Sequence, residues 1–256
     1  MTEYPKDIKF KYSWRKYQQR VLDELQDHLS DQHLHVIAPP GSGKTVLGLE
    51  VAIRLNRPTL ILAPTIAIRN QWIQRFCELF LQTNLTPNWI SRDIRNPEFM
   101  TVVTYQGLHA ACNNWSIEEE EIEEEETEEN GNGKSTNSEL DTIVRGLKSQ
   151  NIKTIVVDEA HHLKSEWWRT LIKVKEKLAP VIVGLTATPP YDVTVTEWQR
   201  YVNLNGPVDT EISVPELVIE GIYALIKIMF ILPYQQRKKI KKLLSSDRTL
   251  KSFFRK

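Results

Sequence analysis

The chain has 256 residues and 41% hydrophobic content, which is enough for one substantial core with material left over for insertions. Its two cysteines, Cys77 and Cys112, lie far apart, and this excludes a disulfide framework and a cysteine-rich zinc site. The charged N-terminus has no apolar run of the length that a signal peptide needs. We therefore expect a cytoplasmic protein.

The formal net charge of zero hides two segments of opposite sign. Residues 118–129 contain ten glutamates, whereas residues 227–256 contain ten Lys or Arg and one Asp. Because these segments nearly cancel, the rest of the chain is also close to neutral. Global charge therefore gives no argument for a nucleic-acid partner, and such a partner has to be inferred from motifs.

Apolar residues alternate along the chain between helical spacing and short continuous runs. Apolar strands that alternate with helices indicate a parallel sheet covered on both faces, which is a doubly wound α/β fold. Functional loops are then expected at the carboxyl ends of the strands. Strands are predicted at 33–38, 59–63, 101–105, 154–158 and 181–187, and helices at 14–29, 45–55, 67–81, 139–149 and 166–178, with a short one ending near 112.

Residues 114–138 interrupt this alternation with a segment of low complexity. The segment is dominated by glutamate and has almost no apolar side chains, so we predict a disordered acidic insertion at the surface. One interpretation is an acidic mimic that competes with nucleic acid for the binding face. The other is a solvated loop with no such role.

The sequence APPGSGKT joins the first predicted strand to a helix through a glycine-rich turn. Such a turn lets the backbone approach phosphates, and successive N–H groups with the helix N-terminus form a cradle for negative charge. The lysine would reach the β- and γ-phosphates and the threonine would bind Mg²⁺. The alternative is a simple glycine turn that caps a helix. The predicted nucleotide-binding residues here are Pro40, Gly41, Ser42, Gly43, Lys44 and Thr45.

The sequence TIVVDEAHH places two adjacent acids at the end of another predicted strand. Asp158 would hold Mg²⁺, and Glu159 would orient and deprotonate the attacking water. His161 and His162 are adjacent instead of spaced along one helix face, so a metal site formed by this pair is disfavoured.

DEAH after a strand, together with GSGKT, resembles the superfamily 2 helicases and translocases, within the group that includes type III restriction subunits and the nucleotide-excision-repair helicase. The resemblance extends over about residues 14–215. It implies that residues 1–215 form a single RecA-like P-loop domain, the ATP-binding lobe of a helicase, with ATP and Mg²⁺ as cofactors. His161 belongs to the catalytic motif in that family.

Further segments carry the same resemblance. In WRKYQ, which resembles the family's segment ahead of the phosphate loop, Gln18 would read adenine with Arg15 beside it. LAPTIAIRNQW resembles motif Ia, VTYQ resembles the motif that follows it, and LTATPP resembles motif III, which couples the nucleotide site to the nucleic-acid face. The coupling residues implied by LTATPP are Thr186, Ala187 and Thr188.

Hydroxyl, amide and backbone groups at two predicted strand ends can meet phosphate oxygens without reading bases. Singly, each of these sequences also fits an ordinary strand-end turn. The resemblance favours DNA over RNA as the partner, although phosphate contacts alone do not distinguish the two. The predicted nucleic-acid residues are Pro64, Thr65, Thr104, Tyr105 and Gln106.

The resemblance also implies a second RecA-like lobe, which would complete the ATP site. After LTATPP the sequence has about 66 residues, without a second alternating pattern, so we expect a truncated motor whose second lobe stands in cis in a parent protein or in trans. The alternatives are a nucleotide-dependent binding module that needs a partner chain, and a regulatory or non-functional gene product.

Residues 216–256 are predicted to form a helical basic tail outside the family pattern. Back-translation from Ile222 allows a family-like Leu-Cys-Pro-His-Gln-Asp in a shifted frame, and we hypothesise a frameshift near residue 221. A basic amphipathic helix on a membrane or on nucleic acid is the competing interpretation. A membrane-spanning helix is disfavoured, because the apolar run is short and contains Lys227.

Overall fold

A computed structural model describes residues 1–114, 137–190 and 192–219. In this part of the chain, seven strands form one sheet in the order β3-β4-β2-β5-β6-β1-β7, and every neighbouring pair is parallel. The predicted α/β class and the parallel sheet are confirmed. The strands are β1 (His33–Ile37), β2 (Thr59–Ala63), β3 (Ile90–Ser91), β4 (Met100–Thr104), β5 (Thr154–Asp158), β6 (Val181–Thr186) and β7 (Thr210–Glu211).

Helices connect the strands and cover the sheet in two groups. One group contains the first three helices, which pack against each other, and the other contains the fourth, fifth and sixth. The third helix continues as a π-helical turn at Cys77–Leu81, and a 3₁₀ turn covers Ala160–His162. The helices are α1 (Lys16–Gln26), α2 (Lys44–Leu55), α3 (Ile66–Phe76), α4 (Tyr105–Cys112), α5 (Asn137–Ser149), α6 (Ser165–Leu178), α7 (Val195–Asn205) and α8 (Val214–Ile219).

The chain divides into two compact units, Met1–Glu211 and Ile212–Lys256. In the second unit the structure describes residues as far as 219, and there Ser213 and Glu216 exchange hydrogen bonds at the start of α8. The predicted tail beyond residue 219 and the hypothesised frameshift lie outside the described residues.

The limits of the predicted elements need small corrections. Helix α5 begins at Asn137, so the last two residues of the predicted insertion 114–138 are helical, while residues 115–136 lie outside the described part of the chain. Strand β4 begins at Met100, one residue earlier than predicted. Helix α7 and the two-residue strands β3 and β7 were not predicted; the strands are too short to carry a periodic signal.

A buried histidine ties α7 to the sheet. The two ring nitrogens of His35 on β1 lie 2.7 Å from the Tyr201 hydroxyl and 3.1 Å from the Gly206 carbonyl oxygen. Burial lowers the pKa of His35, which favours the neutral ring that can accept one hydrogen bond and donate the other. These hydrogen bonds attach α7, which follows the LTATPP segment, to β1, which leads into the phosphate loop.

Among the described residues, no helix is long and apolar enough to cross a membrane.

A glycine in α2, Gly48, packs closely against α3 and the sheet. A Cβ at Gly48 would lie 2.6 Å from Cη2 of Trp72 and 2.5 Å from Cδ1 of Leu185. We therefore expect Gly48→Ala to lower the free energy of unfolding by about 1–3 kcal/mol, the usual cost of overpacking a core. Urea unfolding followed by circular dichroism measures the change.

Gly146 in α5 is the matched control, since a Cβ there would meet its nearest neighbour, Pro97, at an ordinary 3.5 Å. Gly146→Ala should stabilise the protein by up to about 1 kcal/mol through helix propensity. Equal effects of the two substitutions would contradict this description of the packing.

Candidate nucleotide-binding site

Three predicted motifs meet at one edge of the sheet. Strands β5, β6 and β1 are neighbours, and their register pairs Asp158 with Leu185 and Ile37 with Thr186. The carboxyl ends of parallel strands lie at the same edge, so the phosphate loop, the DEAH segment and the LTATPP segment converge there. The loop after each strand can therefore contribute to one site.

The phosphate loop depends on two glycines with positive φ. Gly41 has φ 81° and Gly43 has φ 90°, a region that disfavours residues with a Cβ. Gly43 caps α2, and its missing Cβ leaves room for Gln18, whose Nε2 would lie 2.6 Å from that atom. Pro40 and Gly41 are exposed at the edge, whereas Ser42 is fully buried.

Helix α1 braces this loop from behind. The Tyr17 hydroxyl and the Gln18 side-chain amide both donate to the Ser42 carbonyl, each at 3.0 Å, and Gln18 Oε1 accepts from the backbone N–H of Arg15 at 3.2 Å. Gln18, predicted to read adenine, thus lies against the loop, while the Arg15 side chain is exposed. No signal in the sequence marks the Tyr17 hydroxyl as a contact to the loop.

Lys44 and Glu159 form an ion pair that joins the phosphate loop to the DEAH segment. The other carboxylate oxygen of Glu159 accepts a hydrogen bond from the Ala187 backbone N–H at 2.9 Å. Glu159 has φ 53° in the left-handed region, and its own N–H donates to the Leu185 carbonyl at 2.7 Å. A strained turn is thus held by hydrogen bonds, which fixes where this carboxylate points.

Opposing effects act on the pKa of Glu159. Burial raises it, but the hydrogen bond and charge of Lys44 outweigh burial, with help from the Ala187 N–H and His161, and the pKa is lowered. Glu159 is therefore an ionised carboxylate at neutral pH. This is the state in which it could accept a proton from a water molecule.

His161 and residues of the LTATPP segment surround the same carboxylate. His161 Nδ1 lies 2.9 Å from Thr186 Oγ1 and 3.3 Å from Glu159 Oε2. Thr186 Oγ1 is also 3.3 Å from Glu159 Oε2 and 3.2 Å from the Thr188 carbonyl. Thr186 is buried and Thr188 is exposed, so the LTATPP segment connects Glu159 to the surface of this edge.

Asp158 occupies a different environment from its neighbour. It is 4% exposed, and the indole N–H of Trp72 donates to its Oδ2 at 2.8 Å. Burial raises the pKa of Asp158 to about 6, against the opposing effects of the Trp72 hydrogen bond and the Lys44 charge. Sequence analysis did not identify Trp72, because an apolar position on an amphipathic helix gives no sign of where the indole N–H points.

The donor set fits a hard cation such as Mg²⁺. Asp158 Oδ1 is buried and has no hydrogen-bond partner among the described residues, and Thr45 lies in the first turn of α2, directly after Lys44. A carboxylate oxygen and a hydroxyl are ligands that Mg²⁺ accepts alongside water and phosphate oxygens. The described residues contain no group of three or more His, Cys, Asp and Glu side chains that could hold a metal by itself.

The predicted nucleic-acid residues lie on the adjacent part of the edge, with one exception. Register pairs Ala63 with Thr104, so the N-termini of α3 and α4 are neighbours, and each is capped by a threonine hydroxyl. Thr65 and Gln106 are exposed, and Pro64 and Thr104 are partly buried.

Tyr105 is the exception. It is 2% exposed, and its hydroxyl donates to the Asp158 carbonyl at 2.7 Å. Burial raises the pKa of Tyr105 well above its ordinary value, so the hydroxyl keeps its proton as a donor. Helix α4 starts at Tyr105 and its first side chain turns into the core, so the prediction of a nucleic-acid contact at this position depends on the backbone N–H.

A family model described as the type III restriction enzyme, res subunit, matches residues 11–191. A DNA 3'-5' translocase, XPB2, from Sulfurisphaera tokodaii is 27% identical over 248 residues, which cover 93% of this chain and 47% of that protein. A protein of African swine fever virus, named provisionally as an ATP-dependent RNA helicase, is 28% identical over 68% of this chain and 28% of its own length.

Among solved structures, the UvsW helicase from bacteriophage T4 aligns with a TM-score of 0.49 and 15% identity, covering 83% of this chain and 63% of that one. The chain spans less than half the length of either of the two relatives.

The raised pKa of Asp158 predicts a pH dependence of stability. Because the ionised form is disfavoured in the fold, the contribution of Asp158 is fully present below about pH 4 and is lost as pH rises through about 6. Relative to wild type, we expect the free energy of unfolding of Asp158→Asn to rise by about 3 kcal/mol between pH 4 and pH 7, because the pKa is shifted by about two units. Urea unfolding at several pH values in EDTA measures this difference.

Asp141→Asn is the control. A hydrogen bond from Lys177 lowers the pKa of Asp141, so removal of this carboxylate should change the pH dependence of stability in the opposite direction. An identical pH dependence for wild type and Asp158→Asn would contradict the assigned environment.

Proposed function

Because the chain belongs to the family of the type III restriction enzyme res subunit, we propose that it binds Mg·ATP and couples ATP hydrolysis to movement on nucleic acid as one lobe of a superfamily 2 motor. The observation that carries this proposal is the ion pair between Lys44 and Glu159, which brings the phosphate loop and the DEAH segment into direct contact. A nucleotide phosphate would enter between these two groups.

Bound nucleotide would rearrange the ion pair. The β- and γ-phosphates carry more charge than one carboxylate, so Lys44 would exchange Glu159 for phosphate oxygens. The N–H groups of residues 41 and 43–45, with the N-terminus of α2, would complete the cradle. Glu159 would then stand free of its cation, while the Ala187 N–H still holds it in place.

Glu159 is proposed as the base. With Lys44 engaged by phosphate, the Ala187 N–H and His161 would still favour the ionised form of Glu159, and its fixed position would let it orient and deprotonate a water molecule for attack on the γ-phosphate. Mg²⁺, held by Thr45 and Asp158 Oδ1, would supply charge neutralisation on the phosphates. His161 and Thr186 would connect Glu159 through hydrogen bonds to Thr188 at the surface, so a change at Glu159 would alter the position of Thr188.

Nucleic acid is proposed to bind along the neighbouring N-termini of α3 and α4. Backbone N–H groups at a helix N-terminus favour phosphate, and two such termini lie side by side here. Thr65, Thr104 and Gln106 line them. We propose DNA as the substrate, in accordance with the named activity of the archaeal relative.

A second RecA-like lobe, in cis or in trans, is proposed to complete the site. The chain spans 47% of the archaeal relative, so the rest of that relative has no counterpart among these residues. Residues 1–215 would form the ATP-binding lobe. On its own this lobe would bind nucleotide with little turnover, since an arginine from a partner can account for several orders of magnitude in rate.

Lys44→Ala should abolish nucleotide binding, because the charge that faces the phosphates is lost, whereas Glu159→Gln should preserve it. Charge-assisted hydrogen bonds to two phosphates predict a loss of affinity of about 100-fold or more. Isothermal titration calorimetry with ATP and Mg²⁺ on the full chain measures both. Lys153→Ala, at an exposed lysine away from the loop, is the control. Equal ATP affinity in wild type and Lys44→Ala would refute the site.

Gln106→Glu should weaken nucleic-acid binding, because it adds a negative charge at the exposed start of α4. The repulsion of one phosphate at about 4 Å in water is roughly 1 kcal/mol, or about fivefold in affinity. Fluorescence anisotropy with labelled single-stranded DNA, duplex DNA and RNA of one length, at low and high salt, measures this change.

Gln32→Glu, which lies before β1 at the opposite end of the strands, is the matched control. If both variants bind nucleic acid as wild type does, the proposed edge is wrong. If RNA binds more tightly than single-stranded or duplex DNA, the proposed substrate is RNA and not DNA.

A further inference from the structure

Trp72 is a buried residue whose polar atom points at the nucleotide site. It is fully buried in α3, and its indole N–H donates to Asp158 Oδ2 at 2.8 Å. An indole has one donor and no acceptor, so this hydrogen bond uses the full polar capacity of the side chain. The other oxygen of Asp158 is buried and has no hydrogen-bond partner among the described residues.

The ring of Trp72 has little freedom to move. It packs against Gly48 of α2 so closely that a Cβ there would lie 2.6 Å from its Cη2 atom, with Leu185 on the other side of that position. The carboxyl torsion of an aspartate is broad and roughly two-fold, so Asp158 alone would not select one orientation. A fixed donor on Oδ2 does select one, and it leaves Oδ1 available as a ligand.

Tyr105 fixes the backbone of the same residue. Its buried hydroxyl donates to the Asp158 carbonyl at 2.7 Å. Trp72 comes from the helix that follows β2, and Tyr105 from the helix that follows β4. Thr65 and Thr104 cap the N-termini of these two helices, at the proposed phosphate-binding edge. Each helix therefore contributes one aromatic contact to Asp158.

We propose that Trp72 is a positioning residue for the metal-binding carboxylate, and that with Tyr105 it links the nucleic-acid edge to Asp158. This inference rests on the proposed function, since it concerns the Mg²⁺ that accompanies ATP. Thr65 lies about two helical turns, or roughly 10 Å, from Trp72 along one rigid helix.

Simple core packing makes a different prediction. If Trp72 only fills space, Trp72→Phe should lower stability without a selective change in the Mg²⁺ dependence of nucleotide binding. A partner that orients a metal ligand changes metal affinity by about 10- to 100-fold when it is removed. The dependence of nucleotide binding on Mg²⁺ therefore separates the two roles.

The test is the binding of ADP to the full chain by isothermal titration calorimetry, first in EDTA and then over a series of Mg²⁺ concentrations. For Trp72→Phe we expect the Mg²⁺ concentration that gives half the metal-dependent gain in affinity to rise about 10-fold. Affinity for ADP in EDTA should stay within about twofold of wild type, because Lys44 and the loop are untouched.

Trp89→Phe is the matched control. Trp89 is half-buried and packs edge to face with Phe76 and Phe99, so the same change there replaces an indole in an aromatic cluster without touching Asp158. If Trp72→Phe does not fold, replacement of Trp72 by benzothienylalanine removes the N–H and keeps the ring, with the same expected shift in Mg²⁺ dependence.

The two proposals fail in different ways. If wild type binds Mg·ADP and Trp72→Phe has the same Mg²⁺ dependence as Trp89→Phe, the positioning role is overturned and the ATP site stands. If wild type does not bind ADP in either condition, the proposed function fails and the role of Trp72 fails with it.

Discussion

The structure depends on two adjacent carboxylates at the end of β5 that are kept in different environments. Asp158 is buried with one hydrogen bond from Trp72, and its pKa is raised to about 6. Glu159 is paired with Lys44, and its pKa is lowered. Neighbouring acids whose environments push their pKa values apart can take separate roles, one as a ligand for a cation and one as a base. The turn at Glu159, with positive φ, makes this separation possible.

Hydrogen bonds from the surrounding elements fix the phosphate loop and the two carboxylates. Helix α1 braces the phosphate loop through the Ser42 carbonyl, and the LTATPP segment holds Glu159 through the Ala187 N–H. Trp72 and Tyr105 hold Asp158 through its carboxylate and its carbonyl. The site is therefore assembled by strand-end loops and by core side chains of the helices behind them. Substitutions in that core should change the nucleotide site as well as stability.

Sequence alone predicted the sheet and the two nucleotide motifs because their signals are local. Apolar runs marked β2 and β5 to the residue, and the glycines at 41 and 43 follow from the backbone geometry of the loop. The contacts of Tyr17 and Trp72 and the burial of Tyr105 were not predictable in this way. They depend on which way a side chain faces after a helix has docked, and periodicity does not encode the direction of a single N–H or O–H group.

Hydrogen–deuterium exchange of the full chain, with and without Mg²⁺ and a non-hydrolysable ATP analogue, tests most directly whether these segments act as one nucleotide-responsive unit. Backbone amides report local protection segment by segment. We predict that residues 41–48, 158–161 and 185–188 gain protection together, at one analogue concentration, with a smaller change at the N-terminus of α3. Protection confined to the phosphate loop, or none in any of these segments, would contradict the coupling of the loop to the two carboxylates.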